Sequence, residues 1–204
     1  MATYISKNSK ITNTLRTLAV TGIMASLAAF AVGGAGRASA GELEAVYAHV
    51  GFPGANSISS MTPGAGLITR PVEIILSQDG TVLKDYKDNV ELDGAFTIDM
   101  SGMKEGSYQV WVKNPRYLAA ETDVIYNGGT GKAELGTLLA GDADDNNVVT
   151  VGDFMIVRGS FGKTVGDLGY DDRADMTYDN HVDIRDINLM RNNQGLAGAP
   201  RPGK

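Results

Sequence analysis

Between Glu44 and Leu138 apolar and polar residues alternate in short runs, a pattern that predicts strands. Phe96, Ile98 and Met100 alternate with Thr97 and Asp99, and Tyr108, Val110 and Val112 alternate with Gln109, Trp111 and Lys113. Successive side chains of a strand point to opposite faces, so each run buries one face and wets the other. Seven runs qualify: Glu44–Val50, Val72–Ser77, Thr81–Tyr86, Ala95–Met100, Tyr108–Lys113, Thr122–Tyr126 and Lys132–Thr137. Gln78-Asp79-Gly80, Asp93-Gly94, Lys104-Glu105-Gly106 and Asn127-Gly128-Gly129 supply the turn chemistry between them. Such spacing predicts a two-sheet sandwich over residues 41–138. The stretch Gly51–Thr69, with Pro53 and Pro63, reads as a long loop or a pairing arm. Trp111 faces away from Tyr108, Val110 and Val112, which puts it on an exposed face or in a second packing layer.

Gly94-Ala95-Phe96-Thr97-Ile98 through Gly106-Ser107-Tyr108-Gln109-Val110 resembles carboxypeptidase regulatory-like and related immunoglobulin-like domains. In those a G-x-F strand and a G-x-Y-x-V strand form a central hairpin. The resemblance implies an Ig-like or prealbumin-like sandwich without catalysis.

Beyond Leu138 the periodicity changes. Two short stretches put apolar residues on one helical face, Phe154, Val157 and Phe161 in the first and Ile187 and Met190 in the second. Gly162 and Gly195 follow them as helix-ending residues. Each stretch is preceded by an acidic run, and the two acidic runs are copies. A shift of 33 residues superposes Asp142 on Asp175, Asp144 on Thr177, Asn146 on Asp179, Asn147 on Asn180, Val149 on Val182, Asp153 on Asp186 and Arg158 on Arg191. No amphipathic helix precedes either run, so these are loop–helix units and not full EF-hands.

A twelve-residue calcium loop takes oxygens from positions 1, 3 and 5, a carbonyl at 7, position 9 often through water, and a carboxylate at 12. In the first run those positions are Asp142, Asp144, Asn146, Val148, Thr150 and Asp153. In the second they are Asp175, Thr177, Asp179, His181, Asp183 and Asp186. Every side-chain position carries an oxygen. Position 6, usually glycine, is Asn147 and Asn180, and asparagine tolerates a left-handed backbone. Position 8, Val149 and Val182, is apolar in both and suited to pairing the loops back to back.

This duplicated loop–helix resembles the dockerin family, whose D-x-[ND]-x-[DN]-G-x-[VI] core both runs match except at position 6. The resemblance implies a small helical module at 139–195 folded around two calcium ions and docked onto a cohesin, a β-sandwich receptor. Family receptors read positions 10 and 11, commonly a Ser/Thr pair, which here are Val151-Gly152 and Ile184-Arg185. Those four, with Arg158 and Arg191, are the candidate partner-binding residues. The whole chain is then mainly β, a sandwich followed by a small α module, joined through Leu138-Leu139-Ala140-Gly141.

Composition narrows the function. The first 40 residues hold Lys7, Lys10, Arg16 and Arg37 and no acid, an apolar run from Leu18 to Val32, and Ala38-Ser39-Ala40. That is the pattern of a secretory signal peptide, and a run this short does not favour a permanent span. Its removal takes away four basic residues, and the formal charge goes from -6 to -10. Nucleic-acid backbones need clustered Lys and Arg, so that class is disfavoured. With no cysteine to staple an exported chain, a metal is the expected substitute. His49 and His181 are the only histidines, which leaves no ordinary zinc site and no G-x-S-x-G hydrolase signature.

The expectation is a secreted, non-enzymatic assembly protein that docks onto a cohesin-like sandwich or onto another copy of itself. Head-to-tail docking of copies would build an extracellular filament or surface structure. The alternative is a secreted carbohydrate-binding module in which Trp111, Tyr108 and Tyr117 form a stacking platform. Residues 196–204, rich in Pro and Gly, read as a frayed, flexible tail.

Overall fold

The computed structural model describes residues 44–53, 70–90 and 94–203, which fall within one compact unit, Glu42–Lys204. The expected leader at 1–40 and most of the expected arm, 54–69, lie outside the described residues. All seven expected strands form: β1 Ala45–Gly51, β2 Arg70–Gln78, β3 Thr81–Val90, β4 Ala95–Asp99, β5 Gly106–Lys113, β6 Ala120–Tyr126 and β7 Thr130–Thr137. They make two sheets. One has the order β4-β1-β7, with β1 antiparallel to β4 and parallel to β7. The other, β3-β2-β5-β6, is antiparallel throughout.

Alternation sets what each sheet buries. Val46, Ala48 and Val50 of β1 join Val72, Ile74 and Leu76 of β2 and Tyr108, Val110 and Val112 of β5 in one core. Full burial of such a side chain stabilises by roughly 1.5–3 kcal/mol. The β2–β3 hairpin turns on Asp79 and Gly80, both at positive φ, as a two-residue turn requires. Gly94 is also at positive φ, and a Cβ there would lie 1.7 Å from the Val50 carbonyl oxygen, so only glycine fits.

Two helices follow, α1 Val151–Ser160 and α2 Ile184–Asn192, with a single 3-10 turn at Asp172–Ala174. Both helices start with a capping box, Thr150 with Asp153 and Asp183 with Asp186. Val157 and Met190 enter the same core as the sandwich residues, while Phe161, expected on the buried face of α1, is exposed. Val149 and Val182 are both fully buried in the core, and their backbones do not bond to each other. Val149 exchanges backbone bonds with Gly195 and Leu196, and Val182 with Gly162 and Lys163. Each loop is thus laddered to the segment that leaves the opposite helix.

The tail corrects a second expectation. Leu196–Gly198 bonds to loop 1, and Ala199–Gly203 is laid over the outer face of the β3-β2-β5-β6 sheet. The Ala199 amide donates to the Ala119 carbonyl at 2.9 Å, and Arg201 pairs with Glu73 and Asp85 at 2.7 and 2.6 Å. Gly198 lets it approach, since a Cβ there would lie 2.2 Å from Asn147 Oδ1. Beneath it Trp111, Ile75 and Ala119 form a second buried cluster, and the indole N–H donates to the Ala199 carbonyl at 3.0 Å. Trp111, Tyr108 and Tyr117 are all buried, so the expected sugar platform does not exist.

Candidate metal centre

The bonds that close the two acidic loops are copies of one another. Asp142 accepts from the amides of Asn146 and Asn147, and Asp175 from those of Asp179 and Asn180. One oxygen of Asp153 accepts from the Asp144 amide at 3.0 Å and the other from Thr150 at 2.7 Å. Asp186 does the same for Thr177 at 3.0 Å and Asp183 at 2.8 Å. Positions 4 and 6 take left-handed backbone in both loops, with φ of 62° and 69° at Asp145 and Asn147 and 60° and 66° at Tyr178 and Asn180. At Asp145, Asn147 and Asn180 a glycine-poor sequence reaches this turn because Asn and Asp bear positive φ better than most residues, whereas Tyr178 adopts it without that tolerance.

What fills the loops differs. In loop 1 one oxygen from each of Asp142, Asp144 and Asp153 lies within 4.8 Å of the others, close enough for one cation to touch all three. Among the described residues this is the one such acidic group. In loop 2 Thr177 stands where Asp144 does, and its hydroxyl donates toward Asp175 and Asp186 at 3.3 and 3.1 Å. Asp179 and Asp183 are engaged by Arg185, at 2.5 and 2.8 Å. Asn146 and Thr150 keep their places in loop 1: the Asn146 side chain accepts from the Val148 amide, and Thr150 caps α1. His181 puts its ring against Thr164, 2.9 Å from Nδ1 to the hydroxyl.

Burial and hydrogen bonding move these acids in opposite directions. Desolvation raises the Asp142 carboxyl above the usual range, against the pull of Lys113 and two amides. It raises Asp186 likewise. Asp183, near the surface, is lowered by its hydrogen bonds with Arg185.

The loops are gripped by one short segment of the sandwich that local sequence pattern did not reveal. Lys113, at the end of β5, reaches Asp142 and Asp145 of loop 1. Arg116 donates to the Asp175 carbonyl at 2.6 Å, and Tyr117 donates to the Met176 carbonyl. Tyr178 stacks on Tyr117 with centroids 6.4 Å apart, and its hydroxyl exchanges bonds with the Asn114 side chain. Two guanidinium groups flank the Tyr178 ring, Arg116 at 4.0 Å and Arg70 at 4.9 Å. Arg70 also lies over Phe52 at 4.9 Å; it is fully buried and, among the described residues, no hydrogen bond reaches its three nitrogens. Burial lowers its pKa from the ordinary value.

The candidate partner-binding residues Val151, Gly152, Arg158, Ile184, Arg185 and Arg191 are all exposed. Met155, one turn beyond Val151, is exposed as well, so α1 presents an apolar pair to solvent.

No protein-family model matches this chain, and no curated protein matches it. Solved structures do. One is a C-terminal interface mutant of a type II Cohesin-X-Dockerin complex from Acetivibrio cellulolyticus, with a TM-score of 0.52 and 17% identity. An N-terminal interface mutant of the same complex gives a TM-score of 0.51 and 16% identity. What is shared is the fold. Each match covers 76% of this chain and 97% of the other. Residues 1–140 are a smaller share than that of the 204, so the aligned region reaches past the sandwich into the loop–helix repeat. Among the described residues no helix is long and apolar enough to cross a membrane.

Proposed function

We propose that this chain is a secreted, non-catalytic docking protein whose loop–helix repeat is a dockerin-like module folded around calcium and carried on the sandwich. The observation that carries the reading is the 33-residue duplication of the turn-closing hydrogen bonds and left-handed positions, with three carboxylates converging in loop 1. The donors there are hard oxygens in a pliable loop, the set that suits calcium better than magnesium's strict octahedron. Asp142, Asp144, Asn146, the Val148 carbonyl, Thr150 and Asp153 would hold one ion. Asp175, Thr177, Asp179, the His181 carbonyl, Asp183 and Asp186 would hold a second once Arg185 swings aside. Buried carboxylates held close together repel, and a divalent ion relieves that repulsion, so metal binding contributes directly to folding.

The partner is a protein with a cohesin-like β-sandwich. Two features support it: the fold shared with chains of a Cohesin-X-Dockerin complex, and an exposed apolar surface on the helices. Val151 and Ile184 occupy equivalent positions of the two repeats and both face solvent. Arg158 and Arg191, also equivalent, flank them and favour an acidic receptor rim. Burial of Trp111 removes the support for the carbohydrate-binding alternative.

The test is calorimetric calcium titration together with thermal unfolding of the chain and of Asp153→Ala/Asp186→Ala. The chain should bind calcium and melt higher in it, and the double variant should lose that response. Equal melting of both in calcium defeats the reading. Size-exclusion chromatography at rising concentration in calcium then separates a foreign receptor, where the chain stays monomeric, from docking onto other copies.

A further inference from the structure

Lys113 belongs to the sandwich, yet its ammonium stands at the first ligand position of loop 1. It lies 2.7 Å from Asp142 Oδ2 and 2.6 Å from Asp145 Oδ1, and donates to the Asn114 carbonyl at 3.0 Å. An ammonium has three N–H bonds, so all are engaged. The Lys113 side chain is 8% exposed and that of Asp142 is fully buried, so water and salt screen the pair little. Among the described residues loop 2 has no cation on its first carboxylate: Arg116 reaches only the Asp175 backbone carbonyl, at 2.6 Å, and pairs with Asp172 outside the loop. The Asp175 side chain accepts from the neutral Tyr170 hydroxyl at 3.2 Å. The cation paired with loop 2's other carboxylates, Arg185, holds Asp179 and Asp183 and is half exposed, where ion pairs count for little.

We infer that Lys113 is a resident cation for loop 1, which does part of a metal ion's work and in return weakens the loop's hold on calcium. The inference rests on the calcium reading above. An ammonium has no lone pair and ligates nothing; Lys113 is a positioning residue that acts through Asp142. It meets Asp142 on Oδ2, the oxygen that also accepts the Asn147 amide, and so keeps the turn closed. Loop 1 therefore stays shaped and seated on the sandwich without metal. When calcium enters, the same charge a few ångströms away opposes it, and at that distance in a poorly screened site the penalty amounts to about ten-fold in affinity or more. The two loops consequently answer to calcium differently. Loop 1 is the one held ready by the sandwich.

Calcium titration of the full chain carrying Asp186→Asn, which silences loop 2, isolates loop 1. Adding Lys113→Gln should tighten that site about ten-fold and lower the melting temperature in chelator, so that calcium raises it further than before. A lysine that served only to hold the loop's shape would, on removal, leave affinity unchanged or weaker, and either result overturns the inference. Wild-type chain that takes up no calcium refutes the underlying calcium reading instead, and shows it before any variant is made. A Lys113→Gln chain that folds only in calcium supports the inference, because the ion then replaces the missing charge. If it folds in neither condition, Lys113→Arg decides: affinity within a few-fold of the parent supports a role through charge, and a loss of binding overturns it.

Discussion

The two loops share a backbone and differ in how the rest of the molecule holds them. Loop 1 is held by charge, through Lys113 on Asp142 and Asp145, and by the tail, whose Ala199 carbonyl accepts from the Asn147 side chain at 2.9 Å. Loop 2 is held by packing, with Tyr178 layered on Tyr117 between Arg70 and Arg116. The divergence sits at position 4, which is Asp145 in one loop and Tyr178 in the other. A duplicated turn keeps the residues its own hydrogen bonds require and is free to change those that face its surroundings. Twinned loops need not behave as twins.

Substitutions at that position put the contrast under the greatest strain. Tyr178→Ala should cost about 3 kcal/mol in denaturant unfolding, the low end for an aromatic because the ring is only partly buried, and it also strips Arg70 and Asn114 of their cover. Asp145→Ala, at a half-exposed site, should cost about 1 kcal/mol or less. Equal losses would erase the distinction between the two anchors. Next in size, Asp153→Asn and Asp186→Asn should each remove one ion from the calorimetric stoichiometry. Each should also forfeit the stabilisation of its ion, about 2.7 kcal/mol at calcium a hundred times its Kd. Ending the chain after Gly195 removes bonds to Val149, Asn147 and Trp111 and should cost roughly 1 kcal/mol per buried bond. That loss should weaken calcium binding at loop 1 and leave loop 2 alone. The smallest effect belongs to Arg185→Gln. It frees Asp179 and Asp183, so loop 2 should bind calcium a few-fold more tightly while stability in chelator changes by under about 1 kcal/mol.

Much of this was legible in the chain. Period-two alternation placed all seven strands, because their inward faces are uninterrupted. The 33-residue repeat placed both loops, because the hydrogen bonds that close such a turn are made locally by Asp142, Asp153 and their copies. The grip of Asn114, Arg116, Tyr117 and Arg70 was not legible, since these residues follow no local period and act on partners some 60 to 100 positions away. The seated tail was missed for a related reason. Its prolines and glycines carry no pattern, and only the mate it covers hinted at it: Ile75 and Trp111, paired across β2 and β5, put apolar bulk on the outward face of a sheet. An apolar pair on a supposedly wet face means that something lies over it.

The crossed ladder, in which Val149 bonds beyond α2 and Val182 bonds beyond α1, has its own consequence. Neither half of the repeat completes its backbone bonding alone, so the halves are interlocked and not merely adjacent. Their mutual angle, and with it the spacing of Val151 from Ile184, is written into amide and carbonyl groups that side-chain change does not reach. Recognition can therefore drift at the surface of one half without disturbing the alignment of the other.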